Sequence, residues 1–141
     1  MLMKLILLLC IFLCGKATFS QTKQTVDSIE NRYQECLDSG EFMTSCAVTF
    51  YYHMDSLLNR VYTKLQKGMD SLQKTALKKE ETKWLAKRDM YFDKLELTLA
   101  KKTKEHGPAY DDQMQLFNDK ALFVQNRVLE LLKKFSKFKK Q

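Results

Sequence analysis

The chain has 141 residues, of which only four are glycine and one is proline. This length suits one domain, and so few turn-forming residues argue against a sandwich or barrel of many short strands. The net charge of +7 would suit an anionic partner, but lysines near the C-terminus account for much of it, which argues against a broad nucleic-acid-binding face.

The first twenty residues have the pattern of an export signal. Lys4 precedes an apolar run over residues 5–13, and small residues follow the run. The run is shorter than the roughly twenty residues that a transmembrane helix needs. We therefore predict a signal peptide over residues 1–20, cleaved after Ser20.

Removing the signal leaves one predicted domain over residues 21–141, with 22 basic and 17 acidic side chains and a net charge of +5. We expect this mature protein in the periplasm or outside the cell, without a transmembrane helix. A lipid anchor on Cys10 or Cys14 is the alternative.

Apolar residues at helical spacing predict that the mature chain is an all-α bundle of three to four helices with a long antiparallel helical hairpin. The third segment is unusually long, and a glycine-proline pair ends it. The four segments cover about residues 25–37, 43–68, 70–106 and 110–138.

The fourth segment has the most regular apolar stripe, and such a stripe needs a partner along its length. It could pack on the second and third helices of the same chain, or form the seam of a dimer. The stripe consists of Tyr110, Met114, Phe117, Ala121, Val124, Val128, Leu131, Phe135 and Phe138.

Two cysteines remain after the signal, Cys36 and Cys46. An even pair in an oxidising compartment predicts one disulfide, which would close a loop of about ten residues and stabilise the fold by about 2.5 to 3 kcal/mol. Two buried free thiols are the alternative. The histidines, His53 and His106, lack metal-ligand spacing to these cysteines, so we predict no zinc site.

The end of the last helix is basic, with phenylalanine between the lysines. Lysines there favour the helix dipole, so they could be an ordinary solvated helix end. The same pattern is typical of helices that bind an anionic membrane surface. The lysines are Lys133, Lys134, Lys137, Lys139 and Lys140.

The centre of the chain, residues 43–92, resembles the LprI-like family of exported bacterial proteins. The spacings that carry the resemblance are M-x-x-C, then D-x-x-L-N-x-x-Y-x-x-L, then W-x-x-x-R-D. The resemblance implies a helical, exported protein with a protein partner, which for the family's namesake is a lysozyme. The matching residues are Met43, Cys46, Asp55, Leu58, Asn59, Tyr62, Leu65, Leu77, Trp84, Arg88 and Asp89.

The sequence departs from the family pattern at three places. Glu81 stands where the family usually has glutamine, and Phe92 stands where a cysteine commonly follows the Arg-Asp pair. The region that often supplies the partner of that cysteine, residues 116–119, also lacks one. A second disulfide of the family is therefore expected to be missing as a unit.

The polar motif residues have a structural interpretation and a functional one. If the second and third helices form an antiparallel hairpin, Asp55 and Arg88 could meet beside Trp84 in a charge-assisted hydrogen bond that fixes the register. The alternative is that the motif faces a ligand.

No motif of a known catalytic site is present: there is no phosphate-binding glycine loop, nucleophile elbow or histidine-rich metal motif. We predict a non-catalytic binding protein without cofactor. Many lysozymes are cationic, so a basic inhibitor would need a local acidic patch, for which Asp111, Asp112 and the carboxylates near Glu80 are the candidates.

Overall fold

The computed structural model describes residues 17–138, with side chains described from residue 23 to residue 134. The described residues form four helices, α1 (Ala17–Asp38), α2 (Met43–Lys67), α3 (Ser71–His106) and α4 (Tyr110–Phe138), and no strand. The predicted all-α fold is confirmed, although α1 begins earlier than expected. Most of the predicted signal peptide, including Cys10 and Cys14, lies outside the described residues.

Local chemistry explains where the long helix α3 begins and ends. The Asp70 carboxylate accepts a hydrogen bond from the backbone N–H of Gln73 (2.8 Å), and the Gln73 side chain accepts one from the N–H of Asp70 (3.1 Å). This capping box satisfies backbone donors that a helix start leaves unpaired. At the other end Gly107 adopts a φ of 81°, which favours glycine, and its N–H bonds the carbonyl of Thr103.

Helices α2 and α4 run parallel and form the centre of the bundle. The Thr44 hydroxyl donates to the carbonyl oxygen of Tyr110 near the start of both helices (3.2 Å), and the Tyr51 and Phe117 rings follow, 6.2 Å apart. The part of the apolar stripe from Ala121 to Leu131 is thus buried within the chain itself, whereas Tyr110, expected in the stripe, is exposed at the start of α4. The core residues of the two helices include Ala47, Met54, Leu58, Leu65, Ala121, Val124, Val128 and Leu131.

Helix α1 lies antiparallel to α2 and α4 and covers one side of this pair. The Tyr33 ring stacks on that of Phe50 with centroids 4.4 Å apart. The Gln125 side chain donates a hydrogen bond to Glu30 (2.6 Å), and Ile29 is buried in the core. The pairing of α1 with α2 places Cys36 beside Cys46.

Helix α3 covers another side, antiparallel to α4, and has mainly polar and aromatic contacts. Ion pairs join Lys102 to Asp112 and Glu96 to Lys120, each at 2.6 Å. Among the described side chains of α3, Leu77 alone is fully buried. Helices α2 and α3 are antiparallel, as expected of the hairpin, but α2 packs chiefly on α4.

The helix directions give the bundle two chemically different ends. One end, which we call the disulfide end, holds the C-terminal ends of α1 and α3 and the N-terminal ends of α2 and α4. The opposite end holds the C-terminal ends of α2 and α4, with exposed lysines such as Lys64 and Lys67. The candidate site lies at the disulfide end.

Candidate binding surface at the disulfide end

Cys36 and Cys46 form the predicted disulfide. Cys36 near the end of α1 and Cys46 in the first turn of α2 are bonded, with their Cα atoms 5.8 Å apart. The bond is part-buried against the core and spans the turn that joins the two helices. The turn is thus fixed at both ends by a covalent link.

Hydrogen bonds hold the interior of this turn. The Ser39 hydroxyl donates to the carbonyl oxygen of Cys36 (2.7 Å) and accepts from the backbone N–H of Glu41 (3.3 Å). Gly40 has a φ of 72°, and its N–H bonds the carbonyl oxygen of Leu37. The chain therefore reverses direction in a defined conformation.

Phe42, the last residue of the turn, combines two uncommon properties. Its φ is 51°, in the left-handed region that bulky side chains rarely adopt. Its side chain is also 78 % exposed. Local folding therefore places a phenyl ring in solvent at some conformational cost.

Further apolar groups are exposed at the same end of the bundle as Phe42. Met43 is exposed, and Tyr110 is 82 % exposed at the start of α4, which the Thr44 hydrogen bond joins to the start of α2. The carboxylates of Glu41 and Asp111 adjoin these groups in the chain. We call Glu41, Phe42, Met43, Tyr110 and Asp111 together the tip.

A groove of about 360 Å³ continues from the tip between α1 and α2. Its walls include the apolar side chains of Ile29, Tyr33 and Phe50, and the exposed His53 lies at its edge. Burial raises the pKa of the Tyr33 hydroxyl above its ordinary value, so this phenol is neutral at physiological pH. The groove offers an apolar floor beside the exposed Phe42.

The helices that form the groove are acidic although the whole chain is basic. Residues 24–59 carry one basic side chain, Arg32, against six carboxylates, a net charge of −5. Several of these carboxylates, including Glu35, Asp38 and Glu41, are exposed near the tip. The six are Asp27, Glu30, Glu35, Asp38, Glu41 and Asp55.

The family-motif residues lie away from the tip, and their expected clasp is not formed. Within the described part of the chain, Arg88 donates two hydrogen bonds to the adjacent Asp89 (2.7 and 2.9 Å), and Asp55 accepts from Asn59 (3.5 Å). The prediction that Arg88 bonds Asp55 is therefore wrong. The pKa of Tyr51 is raised mainly by burial and secondly by the negative charge of Asp55, and the positive charge of Arg88 opposes this rise. Both charges thus lie near Tyr51 rather than against each other.

The apolar motif residues pack inside the bundle. Leu58 is buried in the core, and Tyr62 packs against it. Trp84 lies 5.8 Å from Phe123 of α4, between centroids, and the Arg88 guanidinium lies 5.7 Å from the Trp84 ring. These contacts favour a structural role for this part of the motif.

Phe92, which stands where the family commonly has a cysteine, contacts α4 just after residues 116–119, the region that lacks the partner cysteine. Its ring lies 5.0 Å from the Lys120 ammonium and 6.1 Å from the Phe123 ring, measured to the centroid. Lys120 also lies over Phe117. Aromatic and cation–π contacts therefore join α3 to α4 at this position.

The structure reveals a buried ion-pair network that the sequence reasoning missed. Arg127 is 3 % exposed and donates to Glu81 (2.6 and 3.2 Å), Glu80 (2.8 Å) and Glu130 (3.2 Å). Burial alone would lower the pKa of Arg127, but the hydrogen bonds and charges of these carboxylates are the stronger influence, so the pKa is raised above its ordinary value. Two features of the sequence could have predicted it. Arg127 lies between Val124 and Leu131 of the apolar stripe, and Glu81 replaces the glutamine that the family usually has.

This network and a second ion pair involve two of the carboxylates that were expected to form an acidic patch for a partner. Glu80 accepts hydrogen bonds from Arg127 and Lys134, and Asp112 accepts one from Lys102. Glu80 and Asp112 are thus paired within the chain. Of the expected candidates, Asp111 belongs to the tip.

The C-terminal lysines are only partly described. Lys134 pairs with Glu80, and Lys133 is exposed. The side chain of Lys137 and the whole of Lys139 and Lys140 lie outside the described residues.

Searches for two other kinds of site give no candidate among residues that the structure describes. No helix there is long and apolar enough to cross a membrane. No group of three or more histidine, cysteine or carboxylate side chains is placed to hold a metal ion.

Comparison with known proteins identifies the family. No curated protein and no solved structure matches the chain. The family model described as lysozyme inhibitor LprI matches residues 29–130, from the middle of α1 to the last part of α4. This match covers more than two thirds of the chain and includes both bonded cysteines, so the chain belongs to the LprI family.

Proposed function

We propose that this protein is an exported, non-catalytic binding protein that inhibits a lysozyme. The observation that carries the proposal is the family match over residues 29–130, which spans the disulfide, the turn and the helices that hold it. Inhibition requires only that the protein occupy the enzyme's surface, so no catalytic residue or cofactor is assigned.

Export is part of the same proposal. The signal pattern over residues 1–20 and the Cys36–Cys46 disulfide both support an oxidising compartment outside the cytoplasm. We propose that residues 21–141 form the mature single domain, in the periplasm or secreted. Lipid attachment through Cys10 or Cys14 remains the alternative form of the mature protein.

Charge supports this function more strongly on one side of the bundle than over the whole. A net charge of +5 on the mature chain would repel a cationic lysozyme, and repulsion slows association. The net charge of −5 over residues 24–59 reverses the local sign along the α1–α2 side. A cationic enzyme would therefore approach this side.

The test is inhibition of lysozyme by the purified, oxidised mature protein, residues 21–141. The rate of cell-wall lysis should fall in proportion to the amount of protein added, and inhibition should be complete near an equimolar ratio. Lysozymes of the chicken, goose and invertebrate types should be compared. The proposal would be refuted if the protein slowed none of the three lysozymes.

A second substrate separates inhibition from a trivial explanation. A basic protein can coat anionic cell walls and shield them from the enzyme without touching the enzyme. Cleavage of a soluble, uncharged chitin oligosaccharide is not open to such shielding. Inhibition with cell walls but not with the oligosaccharide would contradict the proposed mechanism.

A second candidate function is attachment to an anionic envelope surface through the C-terminal helix end. The parallel arrangement of α2 and α4 favours it, because Lys64 and Lys67 then share one end of the bundle with Lys133 and Lys134. Lysines clustered at one end with nearby phenylalanine are suited to anionic phospholipid.

Sedimentation with vesicles tests this second function. Substituting Lys137, Lys139 and Lys140 by serine should reduce binding to phosphatidylglycerol vesicles while leaving the Lys134–Glu80 pair intact. The control replaces two exposed lysines near the other end of the bundle, Lys101 and Lys104. Equal sedimentation of all forms would exclude the idea.

A further inference from the structure

We propose that the tip is the surface through which the protein grips a cationic lysozyme, with Phe42 as the anchor that enters the enzyme's cleft. This inference rests on the proposed function and adds the site, the anchor residue and the charge of the partner. The tip consists of Glu41, Phe42, Met43, Tyr110 and Asp111, as defined above.

The first argument is the placement of apolar groups in solvent. Phe42 and Tyr110 are 78 % and 82 % exposed, and Met43 is exposed beside Phe42. Aromatic and methionine side chains are enriched at protein interfaces, where a few such anchors carry much of the affinity. Clustering of three at one end of a bundle indicates a contact surface rather than scattered exposed residues.

The second argument is the conformation of Phe42. A phenylalanine with a φ of 51° is strained, and glycine would satisfy the turn without that strain. The ring is mostly exposed, so it gives the free protein little buried contact in return. A side chain that is costly to the free protein and exposed in it is suited to make its contacts in a complex.

The third argument is rigidity. The Cys36–Cys46 bond closes the base of the turn, and the Ser39 hydroxyl bonds both sides of it. The hydrogen bond from the Thr44 hydroxyl to the backbone carbonyl of Tyr110 joins the start of α4 to the start of α2, which follows Phe42. Such preorganisation reduces the entropy lost on binding.

Charge decides which kind of partner fits. Glu41 and Asp111 belong to the tip, and Glu35 and Asp38 are exposed on the adjoining end of α1, whereas the exposed Lys101 and Lys104 lie at this end on α3. The acidic character therefore belongs to the side of the tip that α1 and α2 form. An apolar centre with a carboxylate rim complements a cationic protein whose cleft accepts an aromatic ring. It disfavours an anionic membrane, which the opposite, lysine-bearing end would suit better.

The experiment measures binding of hen egg-white lysozyme to wild-type and variant mature protein by titration calorimetry, at low and high salt. Phe42→Gly should weaken binding by about tenfold or more, while its melting temperature stays equal to or above that of the wild type. Glu41→Gln should weaken binding less and reduce its salt dependence. Tyr110→Ala should weaken binding without loss of helicity.

Two matched controls lie on α3, away from the tip. Met90 is 74 % exposed, so Met90→Ala removes a comparably exposed apolar side chain. Asp93→Asn removes an exposed carboxylate. Both variants should bind lysozyme as the wild type does.

The outcomes separate this inference from the proposed function. If the wild type neither binds nor inhibits lysozyme, both are overturned. If the wild type inhibits but the tip variants inhibit equally well, the tip is not the site and the proposed function stands. If Phe42→Gly instead abolishes self-association in sedimentation velocity and leaves lysozyme binding unchanged, the tip is an interface between two copies and the inference is overturned.

Discussion

The ion pair between Arg127 and Glu81 is expected to make a large contribution to stability that depends on both partners. We consider a double-mutant cycle of Arg127→Met and Glu81→Gln. Methionine keeps much of the length of the arginine side chain, and glutamine is the residue that the family usually has at position 81. The cycle therefore changes charge and hydrogen bonding while largely preserving volume.

The structure sets the expected magnitudes. In Arg127→Met, the Glu81 carboxylate, 13 % exposed, loses both of its bonds from Arg127, whereas Glu80 and Glu130 are exposed enough to be rehydrated. Loss of one partner of a buried pair costs about 3 kcal/mol at the lower limit of such cases. Glu81→Gln leaves Arg127 its other carboxylates and should cost about 1 kcal/mol, the difference between a charged and a neutral acceptor.

The double variant should be less damaging than the sum of the single variants. It buries one unpaired amide instead of an unpaired charge, at a cost of about 2 kcal/mol. The two substitutions should thus couple by about 2 kcal/mol, within the usual range for residues in direct contact.

Urea denaturation of the oxidised protein at neutral pH measures these differences through the transition midpoint, provided that the m-value is unchanged. Additive effects of the two substitutions, or a loss below about 1 kcal/mol for Arg127→Met, would refute this account of the network. Circular dichroism before denaturation confirms that each variant remains helical.

Three further predictions concern acid stability, the disulfide and the core. Burial alone would raise the pKa of Glu80, but the cations bonded to it, including Lys134, hold that pKa below its ordinary value. This stabilisation is present above the unfolded pKa and is lost as the pH falls through the folded one, so Glu80→Gln should flatten the decline of the melting temperature below about pH 4.5. Replacing both Cys36 and Cys46 by serine should lower the free energy of unfolding by about 2.5 to 3 kcal/mol with helicity retained. Met54→Ala, at a fully buried position, should lower it by about 2 to 5 kcal/mol in urea denaturation.

Each of these has a specific contrary result. An unchanged acid profile in Glu80→Gln would show that its ion pairs do not stabilise the fold. Equal stability of the serine variant and the oxidised protein would mean that the disulfide does not restrict the unfolded chain. A loss below about 1 kcal/mol in Met54→Ala would contradict close packing between α2 and α4.

The sequence alone determined the helices, the disulfide and the family. Apolar spacing identified all four helices, and the ends at Asp70 and Gly107 followed from capping chemistry that acts within one turn. The pair Cys36 and Cys46 could be assigned because the predicted mature chain has no other cysteine. These features depend on residues close together in the chain or on simple counting.

Only the tertiary structure decided which faces meet. The parallel packing of α2 on α4 keeps Asp55 and Arg88 from direct contact and places Arg127 against Glu81. These partners are separated by tens of residues, and many helix arrangements bury the same apolar stripes equally well. The exposure of Phe42 was likewise undetermined, because an apolar residue beside a helix start can turn inward or outward until the fold fixes its backbone.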